Sequence, residues 1–299
     1  MSSLGNGAFL VGLVGSGIQL SLTPALHERA GDRHGVRYLY QLIDLARLRV
    51  GVEALPELLT AAEQMGFNGL NITHPCKQAV IPYLHELSEK ASAVGAVNTV
   101  VFKAGRRIGH NTDCWGFSQA ILESPASKRL GTVVQLGAGG AGAAVAYAVL
   151  SLGAARLVLF DRDETRAESL AAKLAGRFGA DRVVASSDLP AAMATADGLI
   201  HATPTGTAAH PGLPLPAQLL RSTQWVVDIV YFPLETELLK VARRRGCLTI
   251  DGGGMAIYQA VRAFHHFTDL QADAAHMRRD FDQLVEARDR PHSAWECGR

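Results

Sequence analysis

The sequence predicts an α/β protein whose second half is a doubly wound, dinucleotide-binding domain, and three observations carry that expectation. Short apolar runs alternate with amphipathic helical stretches from residue 8 to residue 251, the rhythm of a mainly parallel sheet. The 299 residues, 48% hydrophobic and 19% charged, suffice for two ordinary domains with sizeable cores. Residues 132–161, TVVQLGAGGAGAAVAYAVLSLGAARLVLFD, then run strand, glycine turn, helix, strand, acid, the context that a dinucleotide-binding turn requires.

The segment before residue 132 has its own βα rhythm. AFLVGLVG (8–15) reads as a strand, and PALHERAGDRHG (24–35) as a helix opened by proline and ended by glycine. VRYLYQLID (36–44) is a second strand, and ALPELLTAAEQMG (54–66) an amphipathic helix stopped by Gly66. FNGLNIT (67–73) is a third, short strand, and QAVIPYLHELSEKASAVG (78–95) is expected to be mostly helical. AVNTVVFK and RIGHNTD flank the turn Ala104-Gly105-Arg106 as a hairpin.

From residue 132 the pattern turns to nucleotide chemistry. The run Thr132–Val134 feeds Gly137-Ala138-Gly139-Gly140-Ala141-Gly142, and an alanine-rich helix follows to about Leu152. Gly137 permits a tight turn, Gly139 lets the backbone approach a pyrophosphate, and Gly142 lets the helix pack closely. The free N–H groups and dipole of the helix N-terminus face the phosphates. The strand Leu157–Phe160 stops at Asp161, an acid placed to accept hydrogen bonds from the adenosine ribose. Its charge, with that of Asp163, would repel a 2′-phosphate, whereas Arg162 could pair with one. The acids predict NAD over NADP. Beyond them the sequence reads helix 164–177, strand 182–186, helix 188–195 and strand 198–203. A Pro- and Gly-rich loop (204–216), strand 225–231, helix 235–245 and strand 247–251 follow. The tail 255–285 is helical, with Ile257, Val261, Phe264 and Phe267 at helical spacing, and residues beyond about 286 are polar and expected to fray.

Composition excludes other classes. A net charge of +1 offers no footprint for nucleic acid or an anionic membrane. Cys76, Cys114, Cys247 and Cys297 lack metal-ligand spacing, which predicts no metal and free thiols in a reducing cytoplasm. The N-terminal MSSLGNGAFLVGLVGSG lacks a basic flank and has a glycine-interrupted apolar run, so it reads as a first strand and not a signal peptide. No run of 18 apolar residues predicts a membrane span.

Polar residues collect where the first-domain strands end. SLTP carries Ser21 and Thr23, GLNITHPCKQ carries Asn71, Thr73 and Lys77, and GAVNT with GHNTDCWG carries Asn98, Thr99, Asn111 and Asp113. Ligands of open α/β sheets bind at strand carboxyl ends, and hydroxyls and carboxamides there suit a small polyhydroxylated ligand. Singly, each has a plainer reading: Ser21 and Thr23 could cap the helix at Pro24, and Asn98 and Asn111 could hold turns.

Together the motifs resemble a family. SLTPALHE, GLNITHPCKQ, GAVNT, GHNTDCWGF, GAGGAG, HATPTG, VVDIVYFPLET and DGGGMAIYQA stand in the order found in shikimate dehydrogenases, across about residues 11–267. The resemblance implies an N-terminal α/β substrate domain, a Rossmann domain for a nicotinamide nucleotide, and C-terminal helices returning to the first domain. The implied limits are 1–112 with 253–299 for substrate and 113–252 for cofactor. It implies Lys77 and Asp113 as the catalytic pair, with Ser21, Thr23, Asn71, Thr73, Asn98 and Gln259 holding the substrate and Tyr231 beside it. It also places Thr203, Pro204, Val230, Gly254 and Met255 about the cofactor, with Ala256 next in the segment lining the nicotinamide.

Oxidation of a secondary alcohol releases a hydride and a proton, and a positioned amine can carry the proton. A neighbouring carboxylate raises a lysine pKa while burial lowers it, so Asp113 is expected to orient the ammonium and share the proton. Ser21-Leu-Thr23 stands where many biosynthetic members have Ser-x-Ser, and Asp161-Arg-Asp163 where they have Asn-Arg-Thr. Both departures resemble the NAD-dependent branch that also accepts quinate. His201 stands where Asn is common. The expected activity is NAD-dependent oxidation of shikimate, quinate or both by a monomer or homodimer. The alternatives are NADP-linked dehydroshikimate reduction, oxidation of an aminated analogue, or a sensor without turnover. An intact Lys77 and Asp113, and the lack of a basic helix, speak against the sensor.

Overall fold

Each apolar run expected to be a strand pairs into one of two six-stranded sheets in the computed structural model, which describes residues 7–289. The first sheet holds β1 (Ala8–Gly15), β2 (Arg37–Asp44), β3 (Gly69–Ile72), β4 (Glu86–Leu87), β5 (Thr99–Lys103) and β6 (Arg106–His110). Between them lie α1 (Thr23–Arg33), α2 (Leu45–Leu48), α3 (Leu55–Gln64), α4 (Cys76–Ala79) and α5 (Glu89–Val94). The order is β2-β1-β3-β5-β6-β4, and β5 alone runs against the others. The reversal is local: Ala104 (φ 51) and Gly105 (φ 72) are both left-handed, as a two-residue hairpin turn needs.

The expected helix over 78–95 is broken. α-Helix occupies only α4 and α5, with a 3-10 turn (Ile81–Tyr83) and β4 between them. Pro82 has no N–H to continue a helical ladder, and Leu84 turns extended. His85 and Ser88 then donate their N–H groups to Arg107 and Gly109 at the free edge of β6 (2.9 and 2.8 Å). The Ser88 hydroxyl accepts from Ala91 N–H and starts α5 afresh.

The second domain follows α6 (Asp113–Leu122), the helix that leaves the first sheet. It comprises β7 (Thr132–Leu136), α7 (Gly140–Ser151), β8 (Arg156–Phe160), α8 (Glu164–Phe178), β9 (Val183–Ala185), α9 (Leu189–Thr195), β10 (Gly198–His201), β11 (Trp225–Asp228), α10 (Glu237–Arg244) and β12 (Leu248–Ile250). Every pair is parallel and the order is β12-β11-β10-β7-β8-β9. The winding reverses between β7 and β10, where such sheets open a ligand crevice. The alanine-rich α7 is buried from Gly142 to Leu150, so it needs no polar face.

The C-terminal helices α11 (Gly253–Thr268) and α12 (Ala274–Asp289) return to the first domain. Ile257, Val261, Phe264 and Phe267 of α11 and Met277 and Phe281 of α12 share a core with Val11, Leu13 and Tyr38. Arg33 of α1 clasps the buried Asp280 of α12 through its two terminal guanidinium nitrogens. The expected continuous tail is divided at Asp269, which is left-handed at φ 59. Most of the polar stretch expected to fray, with Cys297, lies outside the described residues, while α12 itself continues to Asp289. Cys76, Cys114 and Cys247 are buried free thiols. Among the described residues no helix is long and apolar enough to cross a membrane.

Gly198 tests the second sheet. A Cβ there would lie 1.9 Å from the ring of Trp225, which is fully buried and paired with it in register. Gly198→Ala is expected to cost about 2–3 kcal/mol by overpacking, and thermal unfolding followed by circular dichroism should show a fall in Tm of roughly 5 °C or more. An unchanged Tm would contradict that register.

Candidate active site

At the carboxyl ends of the strands the chain leaves the sheets early. The strands expected to reach residues 203 and 231 end at His201 and Asp228, which frees the following residues to form loops over the crevice. The first-domain polar segments converge there. Lys77 Nζ, from α4, donates to Asp113 Oδ2, from the first turn of α6. The other Asp113 oxygen accepts from Asn98 Nδ2 at 2.9 Å. Asn98 Nδ2 also reaches Thr112 Oγ1 at 2.9 Å, while its Oδ1 accepts from Thr112 N–H at 2.8 Å. Asn71 Nδ2 donates to the Asn98 carbonyl at 3.2 Å, and Asn71 Oδ1 accepts from the Tyr40 hydroxyl at 2.8 Å. One run of hydrogen bonds thus joins Tyr40, Asn71, Asn98, Asp113 and Lys77. Asn71, Asn98 and Asp113 are all buried, so each depends on those partners.

The other residues that the resemblance gives to the substrate lie on neighbouring elements. Thr112 Oγ1 lies 3.5 Å from Gln259 Oε1 of α11. Ser21 Oγ donates to Thr23 Oγ1 at 3.1 Å and accepts from Thr23 N–H at 3.3 Å. Leu22, at the N-cap of α1, makes no capping bond itself, and Ser21 takes the first N–H of the helix from one residue earlier, so the capping reading holds for Ser21 alone. Thr73 is half-buried, and a Cβ at Gly15 would stand 2.3 Å from its methyl, so β1 can end there only as glycine. Tyr231 keeps 38% of its surface exposed. Burial first, and then the Asp113 charge, push its phenol up from the usual value, while Arg288 and the Ser21 hydroxyl act the other way. Asn111 does hold a turn: Nδ2 donates to Ala96 O at 2.9 Å, and Oδ1 accepts from Cys114 N–H at 3.0 Å.

The glycine turn forms the opposite wall. Gly137 is left-handed (φ 104), and a Cβ there would meet Ala202 O at 2.5 Å. At Gly142 the close approach is to the turn itself, since a Cβ would lie 2.3 Å from Gly137 O. Gln135, buried inside an apolar strand, ties that loop by donating Nε2 to Gly137 O (2.8 Å) and Gly142 O (2.9 Å). A Cβ at Gly139 would meet nothing within 4 Å, so the chain is open to solvent there, beside the N–H groups at the α7 N-terminus that would face a phosphate. Asp161 is held at the end of β8, accepting from Ala138 N–H at 2.7 Å and Asp163 N–H at 3.0 Å. Arg162 and Pro204 are exposed, Thr203 is half-buried, and Val230 and Met255 are buried. A Cβ at Gly254 would lie 3.1 Å from Ala120 Cβ, so the start of α11 sits close on α6.

The two walls meet at Lys77. A Cβ at Gly140, the first residue of α7, would lie 3.1 Å from Lys77 Cβ and 3.5 Å from Lys77 Cδ. The lysine stem therefore runs along the nucleotide helix while its ammonium turns to Asp113. Sequence reasoning gives no role to Gln135, Tyr40 or Thr112. The glutamine within TVVQL is nonetheless a visible signal, because an apolar strand keeps such a residue only where it has partners.

Asn98→Ala would remove two donors and the acceptor for Thr112 N–H, leaving Asp113 with one buried oxygen unpaired. The expected loss is roughly 2–4 kcal/mol, read as a lower urea midpoint. A midpoint equal to that of the unchanged protein would show that Asn98 does not hold Asp113.

Comparison with known proteins places the chain in a family. The profile of the shikimate dehydrogenase substrate binding domain matches residues 13–100. The chain is 56% identical over 280 residues to the shikimate dehydrogenase (NADP(+)) of Streptomyces avermitilis, covering 93% of this chain and 96% of that one. It is 48% identical over 282 residues to the quinate/shikimate dehydrogenase (NAD(+)) of Corynebacterium glutamicum, covering 93% and 100%. The solved structure of quinate dehydrogenase from Corynebacterium glutamicum in complex with NAD matches with a TM-score of 0.86 at 47% identity, covering 92% of this chain and 99% of that one. On this identity and coverage, the chain belongs to the shikimate dehydrogenase family.

Proposed function

We propose that this chain interconverts shikimate and its 3-dehydro ketone by reversible hydride transfer, prefers NAD, and takes quinate as a second substrate. The observation that carries the reading is the placement of the Lys77–Asp113 pair against Gly140, at the start of the nucleotide helix. A bound nicotinamide supplies the hydride acceptor. The protein supplies the rest. From ketone to alcohol, an N–H of Lys77 gives its proton to the ketone oxygen as the hydride arrives. From alcohol to ketone, the amine, having passed a proton to Asp113, takes the hydroxyl proton on its freed lone pair as the carbon–hydrogen bond breaks. Asp113, fixed by Asn98, keeps the ammonium aimed. Ser21 and Thr23 offer adjacent hydroxyls for the carboxylate, with Tyr231 beside them. Asn71, Thr73 and Gln259 border the ring hydroxyls.

NAD preference rests on Asp161. Its carboxylate is fixed beside Ala138 of the turn, where it can accept from ribose hydroxyls, and Asp163 adds a second acid two residues on. NADP is the second reading. It is favoured by the exposed Arg162 and by the NADP name of the 56% relative. Quinate use is supported by Thr23, whose methyl alters the pocket beside the carboxylate site, and by the name of the 48% relative. Assay of the purified protein with shikimate and quinate, each with NAD and NADP, tests all three parts.

Lys77→Ala is expected to lower kcat roughly 10²-fold or more, the scale of a lost acid–base group, with shikimate and dinucleotide affinities within about tenfold. Turnover near that of the unchanged protein would remove Lys77 from the chemistry. Asp161→Ser removes a ribose acceptor and a repulsive charge together. It should reduce kcat/KM for NAD and raise it for NADP by roughly tenfold each, about the effect of one charge-assisted hydrogen bond. A native preference for NADP by kcat/KM would overturn the NAD assignment.

A further inference from the structure

A buried polar cluster behind the cofactor loop has no part in the chemistry above. His201 and Asp228 are the last residues of β10 and β11, partners in register, and both are 0% exposed. His201 Nδ1 lies 2.9 Å from Asp228 Oδ1, and His201 Nε2 lies 2.5 Å from Thr203 Oγ1. Asp228 also accepts from Val230 N–H at 3.0 Å and from the Thr236 hydroxyl at 2.7 Å, and Thr236 caps α10. A carboxylate only accepts, so His201 Nδ1 carries a proton toward Asp228, and Nε2 pairs with the Thr203 hydroxyl. Thr203 Oγ1 in turn accepts from Thr205 N–H at 3.3 Å.

The loop held in this way lies on the glycine turn. The Cβ position of Gly137 is 2.5 Å from Ala202 O and 3.0 Å from Thr203 Cγ2. The Ala202 N–H donates to Leu136 O at 2.7 Å, so residues 202 and 203 and the turn have little room to move apart. A burial this complete gives each polar atom of the cluster a specific partner and therefore a fixed place.

We infer that His201 is a positioning residue for the dinucleotide. It carries the fixed placement of Asp228 to the Thr203 hydroxyl, holding residues 202–205 against the glycine turn while the same carboxylate holds Val230. The inference rests on the proposed dinucleotide site and extends it to a buried residue. The two ring nitrogens divide the task. An asparagine amide can replace Nδ1 toward Asp228, but it is too short to replace Nε2 toward Thr203.

The test is a double-mutant cycle of His201→Asn and Thr203→Val, read as dissociation constants for NAD and NADP by calorimetry, with Tm and shikimate KM alongside. Each single variant is expected to weaken the preferred dinucleotide about 5–10-fold, the scale of one hydrogen bond. The double variant should be no weaker than the worse single, since the second change acts on a hydrogen bond that the first has already broken. Shikimate KM should stay within about twofold, because the His201–Thr203 hydrogen bond lies on the dinucleotide side. Binding by His201→Asn equal to that of the unchanged protein, or a double variant whose loss is the product of the singles, overturns the inference. Should His201→Asn fail to fold, Thr203→Ser against Thr203→Val decides, because only the serine keeps the hydroxyl. Near-native binding by serine and weakened binding by valine supports the inference, and equal binding overturns it. Dinucleotide binding is measured directly, so a protein that binds NAD but does not oxidise shikimate would refute the proposed function and leave this readout intact.

Discussion

The site depends on one buried carboxylate placed where the two domains join. Asp113 opens α6, the helix that leaves the first sheet, and lies 5% exposed. A charge so enclosed is tolerable only when its oxygens are bonded. Asn98 takes one oxygen and Lys77 the other, and the helix N-terminus adds a favourable field. Because Asn98 is bonded to Asn71, and Asn71 to Tyr40, the carboxylate inherits its position from three strands of the first sheet or their ends. The lysine it holds lies on Gly140 of the second domain. Substrate-side and cofactor-side geometry are thus set by one continuous polar run, while the apolar cores on either side supply most of the stability.

The same device recurs around the crevice. Asp44, at the end of β2, accepts from Gly17 and Ile18 N–H groups and from Gln19 Nε2, which shapes the loop leading to Ser21. Burial acts to raise its pKa, but these donors, with Ala46 N–H, outweigh it, and the carboxyl ends below its usual range. A carboxyl with a depressed native pKa stabilises the fold above its unfolded pKa and loses that contribution as pH falls through the native one. Asp161 and Asp228 do for the glycine turn and the 228–231 loop what Asp44 does for the 17–19 loop. In each case an acid at a strand end binds backbone N–H groups that no ladder can use. Irregular loops over a crevice need such acceptors, because their buried amides have no strand partner.

Much of this architecture is legible in the residues, and what is not follows a pattern. Strands β7 and β8 and helix α7 are readable because glycine spacing, alanine content and apolar runs are local signals. The polar residues at the first-domain strand ends are readable as a group, and they converge. The strand β4 is not, since two residues become a strand only because β6 offers a free edge, and periodicity does not report a partner. The early ends of β10 and β11 escape for a related reason. GLIHAT and WVVDIVY read as strands throughout, yet Thr203 and Val230 are drawn off by His201 and Asp228, a tertiary choice overriding a local one. The Ser21–Thr23 pair shows the converse error. Its spacing fits a helix cap, but the N-cap position falls on Leu22, and only Ser21 reaches an N–H of the first turn.

Cofactor choice and chemistry are separable in this architecture. The residues argued to select the dinucleotide, Asp161 to Asp163, follow β8, while Lys77 and Asp113 come from α4 and α6 of the other side. Each group is held by partners of its own: Asp161 by Ala138 and Asp163, and Asp113 by Asn98 and Lys77. On the proposed function, a change at 161–163 would alter the charge met by a 2′-phosphate without moving the proposed proton relay. Relatives named for NADP and for NAD match over nearly the same 93% of this chain, which is what separable modules allow. The glycine turn borders both, because Gly140 lies against Lys77 and Ala138 donates to Asp161. A substitution within the turn is the kind that must disturb affinity and turnover together.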